Sequence, residues 1–176
     1  MKNITFLAIG MILFMFAQAC QNNHGKHYNN EPKVDSAGQK FIKAAIEGGL
    51  TEIKASGLAI TNSNNQQVIG FAKMMMNDHT NADSALKKME TSKLIDSLDT
   101  ISPTHQQLIA TLSKQNGAAF DKAYLTMMVA GHQAAYDLFT NAGKSTDADV
   151  DKFAIATLPT IKMHLDSAKA ILATFK

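Results

Sequence analysis

Phe120-Asp121-Lys122-Ala123-Tyr124-Leu125-Thr126-Met127-Met128-Val129-Ala130-Gly131-His132 is the stretch that decides the fold. Read in alternating steps of four and three, it runs through Asp121, Leu125, Met128 and His132, then Ala135, Phe139 and Ala142. That spacing places side chains on one face of an α-helix, as in the seam of a helical bundle. A parallel stripe of Phe120, Tyr124, Met127, Gly131, Ala134 and Leu138 widens the apolar face. A carboxylate and an imidazole are therefore written into an inward-facing seam.

Three other segments carry the same period, and each of them the same oddity of an ionisable group in the seam. A helix over Ala37–Asn62 has the seam Phe41, Ala45, Gly48, Glu52, Ala55 and Ala59. One over Gln66–Ser92 reads Val68, Ala72, Met75, His79, Ala82, Leu86 and Met89, with Asp78, Asp83 and Lys87 off the seam. The last starts at Ser145-Thr146-Asp147 and reads Val150, Ala154, Thr157, Ile161, His164, Ala168, Ile171 and Phe175. Pro159 predicts a kink there that frees the carbonyl of Ile155. Gly143 predicts a left-handed stop after Ala142. Between the second and third helices the period breaks. Ser102-Pro103 there is a start signal for a short helix over 104–114, inside a crossover connection that begins with His105 near solvent.

A weak internal repeat joins the two halves. Thr61-Asn62, Phe71-Ala72 and His79 followed by Asp83-Ser84-Ala85 correspond to Thr140-Asn141, Phe153-Ala154 and His164 followed by Asp166-Ser167-Ala168. In this alignment Glu52 matches His132, and His79 matches His164. Two similar hairpins joined by a crossover give an all-α, ferritin-like four-helix bundle whose connection carries a short extra helix.

Composition narrows the partners and the compartment. All 17 basic residues are Lys, set against 15 acidic ones. Without Arg, and with no Lys run longer than two, nucleic acid is not an expected partner. Met1-Lys2-Asn3, the apolar run Ile4 to Phe16 and Ala17-Gln18-Ala19-Cys20 have the layout of a signal peptide. Its end resembles a lipobox, although Ala17 stands where Leu is usual. The organisation expected is a leader over 1–19, a lipidated Cys20, a polar tether over 20–36 holding His24 and His27, and a bundle domain over 37–176. The partner so implied is a membrane, reached through a lipid anchor and not a span. The location implied is the bacterial cell envelope, at the outer membrane or in the periplasm.

Helices of about 26 residues are about 39 Å long, and Glu52, His79, His132 and His164 all fall near the middle of theirs. Whichever way the crossover runs, they share a layer. Asp121 lies about 16 Å along the axis from His132, so it belongs to an end layer, pairing with Tyr124 or with a Lys near the helix start. For the mid-bundle set two readings fit. One is a hydrogen-bonded Glu52–His cluster that fixes helix register. The other is a metal site, since imidazole nitrogen and carboxylate oxygen are ligands for zinc, iron or copper. Met74-Met75-Met76, Met127-Met128 and Met163 adjoin the histidines and add a thioether option for copper, against plain core filling. No Cys-x-x-Cys-His, Gly-rich phosphate loop or nucleophile arrangement is present, so neither covalent haem nor a familiar catalytic residue set is expected.

Glu52, Asn77-Asp78-His79, Phe120 to Tyr124 followed by His132, and Leu158-Pro159 followed by His164 resemble, in order and spacing, an exported bacterial family known as domain of unknown function 4142. The resemblance covers about residues 37–174. It implies a ferritin-like bundle and an outer-membrane or periplasmic place, and leaves the biochemical role open. Iron storage does not follow, because a di-iron centre needs Glu-x-x-His on two helices. Met76, Val129 and Ile161 stand three residues before the histidines here. Two functions are thus carried forward. One is a non-catalytic, lipid-anchored envelope domain with a metal ion mid-bundle, serving envelope maintenance or stress. The other is a zinc, iron or copper enzyme, redox or hydrolytic, built on the Glu/His cluster.

Overall fold

The computed structural model describes residues 33–96 and 100–175. The leader, Cys20, His24 and His27 lie outside the described residues. Five α-helices and no strand occur among those described: α1 (Ser36–Asn62), α2 (Gln66–Ser92), α3 (Pro103–Leu112), α4 (Gly117–Ala142) and α5 (Ala148–Leu172). No helix is long and apolar enough to cross a membrane, among the described residues.

Local chemistry explains most of the boundaries. Asp35, Asn65, Ser102 and Asp147 each accept a hydrogen bond from a backbone N–H in the first turn of the helix that follows, meeting donors the helix itself leaves free. Pro103 opens α3, where its missing N–H costs nothing. Lys93 Nζ lies 2.7 Å from a carboxylate oxygen of both Asp147 and Asp149, tying the end of α2 to the start of α5.

Three details differ from the sequence expectation. Gly143 follows α4 at φ −68°, not in the left-handed region; its N–H bonds the carbonyl of Phe139, and a Cβ there would stand 3.1 Å from Ile155. Close approach of α5 accounts for this glycine better than backbone handedness. Helix α5 runs through Pro159 without interruption, with Ile155 on its exposed side, where water can meet the carbonyl the ring leaves unbonded. The folded part also starts before residue 37: Val34 is buried, and Lys33 N–H donates to the carbonyl of Lys93.

Helices α1 and α2 pack as one hairpin and α4 and α5 as another, with α1 against α4 and α2 against α5 joining them. The core this encloses has two parts. One gathers Ala55, Val68, Phe71, Met75, Phe120, Tyr124, Leu125 and Met128. The other gathers Phe41, Ile42, Ile46, Leu86, Phe139, Val150, Ala154 and Ile161. On every long helix the residue that falls between these clusters is polar: Glu52, His79, His132 and His164.

Candidate metal centre

Each long helix contributes one side chain to this middle layer, and they converge. Glu52, His132 and His164 are buried, and the side chain of His79 is 16 % exposed. The ring centroids of the three histidines are 5.2 to 5.5 Å apart. One ligand-capable nitrogen from each lies within 4.8 Å of the others. The Glu52 carboxyl bridges two of the rings, with Oε2 3.3 Å from His79 Nε2 and Oε1 3.2 Å from His132 Nδ1.

The outer contacts fix which nitrogens carry hydrogen. His132 Nδ1 is 3.0 Å from the carbonyl of Met128, one turn back on α4, so Nδ1 is the donor and Nε2 keeps a lone pair. His164 Nε2 is 3.0 Å from Asp78 Oδ2 and donates to it, which leaves the lone pair on Nδ1. Those two lone-pair nitrogens then face each other at 3.3 Å. His79 Nε2, despite its proximity to Glu52, makes no hydrogen bond of acceptable geometry. The layer thus contains an unsatisfied nitrogen and a facing pair of acceptors.

Burial pushes Glu52, His79 and His132 toward their neutral forms. His79 falls to about 3, through burial and then the neighbouring imidazoles. His132 falls to about 4, through burial and His164, against the opposing pull of the Met128 carbonyl. Burial raises Glu52 to about 8. Protonation of His79 or His132 is therefore not the way this layer resolves its facing lone pairs.

Backbone choices make room for the carboxyl. Gly131 on α4 lies opposite Glu52, and a Cβ there would stand 2.7 Å from Glu52 Oε1. Gly49 sits against His79, where a Cβ would be 3.7 Å from Nδ1.

Asp78, off the seam by period, turns inward enough to hold His164 and is the member sequence reasoning missed. Its place directly before His79 was the available signal, because adjacent helical residues point about 100° apart and serve different neighbours. Asp121 is buried outside the layer, as its height implied, but its expected pairing with Tyr124 does not form. Tyr124 hydroxyl bonds Ser56 Oγ at 2.9 Å, and Asp121 Oδ1 has no hydrogen-bond partner. Ser56 on α1 takes the tyrosine because it faces α4, whereas Asp121 precedes Tyr124 by only three residues on the same helix. His105 keeps some exposure and bonds Glu47 Oε1 at 2.6 Å. Of the methionines, Met75 and Met128 fill core, while Met163 is 44 % exposed.

The family model for a domain of unknown function (DUF4142) matches residues 23–171. Among solved structures, the crystal structure of a DUF305 fragment from Deinococcus radiodurans is similar, with a TM-score of 0.73 and 14 % identity. The match covers 81 % of this chain and 99 % of that one, and at such identity it bears on the fold alone. None of the curated proteins matches.

Proposed function

The chain belongs to the family of domain of unknown function 4142, and from that premise we propose that its bundle binds one transition-metal ion through His79, His132 and His164, with Glu52 as a further donor. The observation that carries this reading is the pair of lone-pair nitrogens, His132 Nε2 and His164 Nδ1, facing each other at 3.3 Å while their opposite nitrogens are engaged. Two nitrogens each about 2.0–2.1 Å from a tetrahedral zinc stand about 3.3–3.4 Å apart. An octahedral ion with bonds near 2.1 Å would bring them to about 3.0 Å. The donor set and spacing favour zinc, with iron and copper as the other candidates for nitrogen and oxygen ligands. Asp78 and the Met128 carbonyl act as the outer partners that orient a metal-bound imidazole.

The test is elemental analysis of protein purified without a tag, followed by zinc titration of the metal-free form. About one equivalent is expected, and His132→Gln with His164→Gln abolishes it. Less than about a tenth of an equivalent, with no calorimetric binding, sinks the reading and leaves a register-fixing polar cluster.

We further propose that the domain works at the cell envelope, held by lipid on Cys20 and serving envelope maintenance or stress without catalysis. Support comes from the apolar run Ile4 to Phe16 and the small residues before Cys20. Mass spectrometry of the mature N-terminus is the check, and an unacylated or uncleaved start would overturn it.

A further inference from the structure

A cavity of about 430 Å³ adjoins the Glu/His layer, within the size range of small-molecule sites. Residues of α1 and α4 supply much of its lining. Small residues make its two long walls, Ala45 and Gly48 on α1 and Gly131 and Ala135 on α4, while Leu86 and Phe139 close one end. Side chains this small leave the space unfilled, whereas well-packed bundle seams bring larger knobs into such positions. Glu52, His79 and His132 form the polar face of the cavity. His79 Nε2 is the unsatisfied nitrogen of the layer, and Asp83, one turn further along α2, also borders the cavity with a buried Oδ1 that has no hydrogen-bond partner.

The crossover helix meets the opposite side. His105 and the exposed Leu108 of α3 border the cavity there, with Glu47 beneath them, its Oε1 2.8 Å from the Ser102 N–H and 2.6 Å from His105. An anion entering past Glu47 and Asp83 would meet carboxylates and no unengaged cation: Lys87 is held by Asp83 at 3.1 Å. Charge at both ends therefore selects against acids.

We infer that this cavity is a ligand site for an uncharged, compact apolar molecule, aromatic or short-chain, whose single lone-pair or hydroxyl end reaches the Glu52–His79 face. What that end meets rests on the metal reading above: an ion held by the three histidines and Glu52 would take it as a fifth donor or in place of the Glu52 carboxyl. The cavity itself does not depend on the metal.

Gly48 supplies the decisive variant. A Cβ at Gly48 meets nothing within 4 Å and Gly48 borders the cavity, so Gly48→Leu extends a side chain into the space the apolar ligand would occupy while leaving the proposed metal donors in place. Gly57→Leu, also on α1 and also with open space around its Cβ, lies outside the cavity and is the control. Two measurements are made on the full bundle. Fluorescence of the neutral probe N-phenyl-1-naphthylamine is titrated into metal-free and zinc-treated protein, beside the anionic 8-anilinonaphthalene-1-sulfonate. Separately, 4-phenylimidazole is added to cobalt-treated protein and the visible absorption bands are followed.

The neutral probe is expected to bind and the sulfonate not. Gly48→Leu should weaken the neutral probe about tenfold or more, with Gly57→Leu unchanged and metal content retained in both. The cobalt bands should shift with 4-phenylimidazole in the wild type and not in Gly48→Leu. Cobalt bound but no neutral probe bound in any form, or equal binding by Gly48→Leu, overturns this inference alone. No cobalt bound overturns the metal reading alone, and the probe titrations of the metal-free protein then decide the cavity.

Discussion

His132 and His164 present to each other the nitrogens that nothing else engages, and residue-level chemistry follows from that. A metal ion bound at 100 times its dissociation constant adds about 2.7 kcal/mol to the folded state. Removing it with a chelator should lower the melting temperature by about 5–10 °C for a domain of this size. An unchanged melting curve would count against the metal. Gly131 gives a sharper test. At an ordinary helical position Gly→Ala gains about 1 kcal/mol, but here the new methyl group would stand 2.7 Å from Glu52 Oε1. Because a carboxyl end can swing aside, Gly131→Ala should change stability by less than about 1 kcal/mol while weakening zinc binding about tenfold or more. Isothermal titration beside thermal melts separates these effects. A variant that binds zinc as well as the wild type would show that Glu52 is not a donor.

At the scale of elements, the α1–α4 contact includes a buried hydroxyl pair, Ser56 and Tyr124, at 2.9 Å. Tyr124→Phe leaves the Ser56 hydroxyl buried without a partner and should cost about 1–3 kcal/mol. Removing the second hydroxyl with Ser56→Ala should restore part of that, so the double variant is less destabilised than the sum of the singles. Strictly additive melting free energies would show that the pair contributes nothing. Element boundaries were largely legible beforehand, since the span Gln66–Ser92 can be read from its spacing alone. Side-chain pairing was not. Asp121 and Tyr124 lie one turn apart on the same helix, yet the hydroxyl bonds across to α1, because partners in a bundle are set by which helix faces which.

For the whole molecule, burial of the polar layer makes metal-free stability depend on pH in a defined way. Glu52 holds its proton up to about 8 in the fold but loses it at the ordinary 4.5 when unfolded, so its contribution falls as pH rises through that window. His79 and His132 take up protons at the ordinary 6.5 when unfolded but resist to about 3 and about 4 in the fold, so their contribution is lost as pH falls below 6.5. Between 4.5 and 6.5 two refused protons oppose one retained, and stability should fall with acid by about 1.4 kcal/mol per pH unit. The metal-free bundle is thus expected to be most stable near pH 6.5. Denaturant titrations across pH 4.5–8 check this, and a flat acid limb would contradict it. Replacing both histidines by Gln should remove the acid-side loss.

The sequence by itself determined the helices, their order, the short crossover helix and the presence of Glu52, His79, His132 and His164 at similar heights, because periodicity and capping are local and height along a helix follows from a fixed rise per residue. Only the tertiary structure decided that these side chains face one another, which nitrogen of each ring is engaged, that Asp78 joins them, and that small residues on α1 and α4 leave a cavity beside them. Those facts depend on rotation of each helix about its own axis and on the packing of non-neighbouring helices, neither of which spacing along one chain segment encodes.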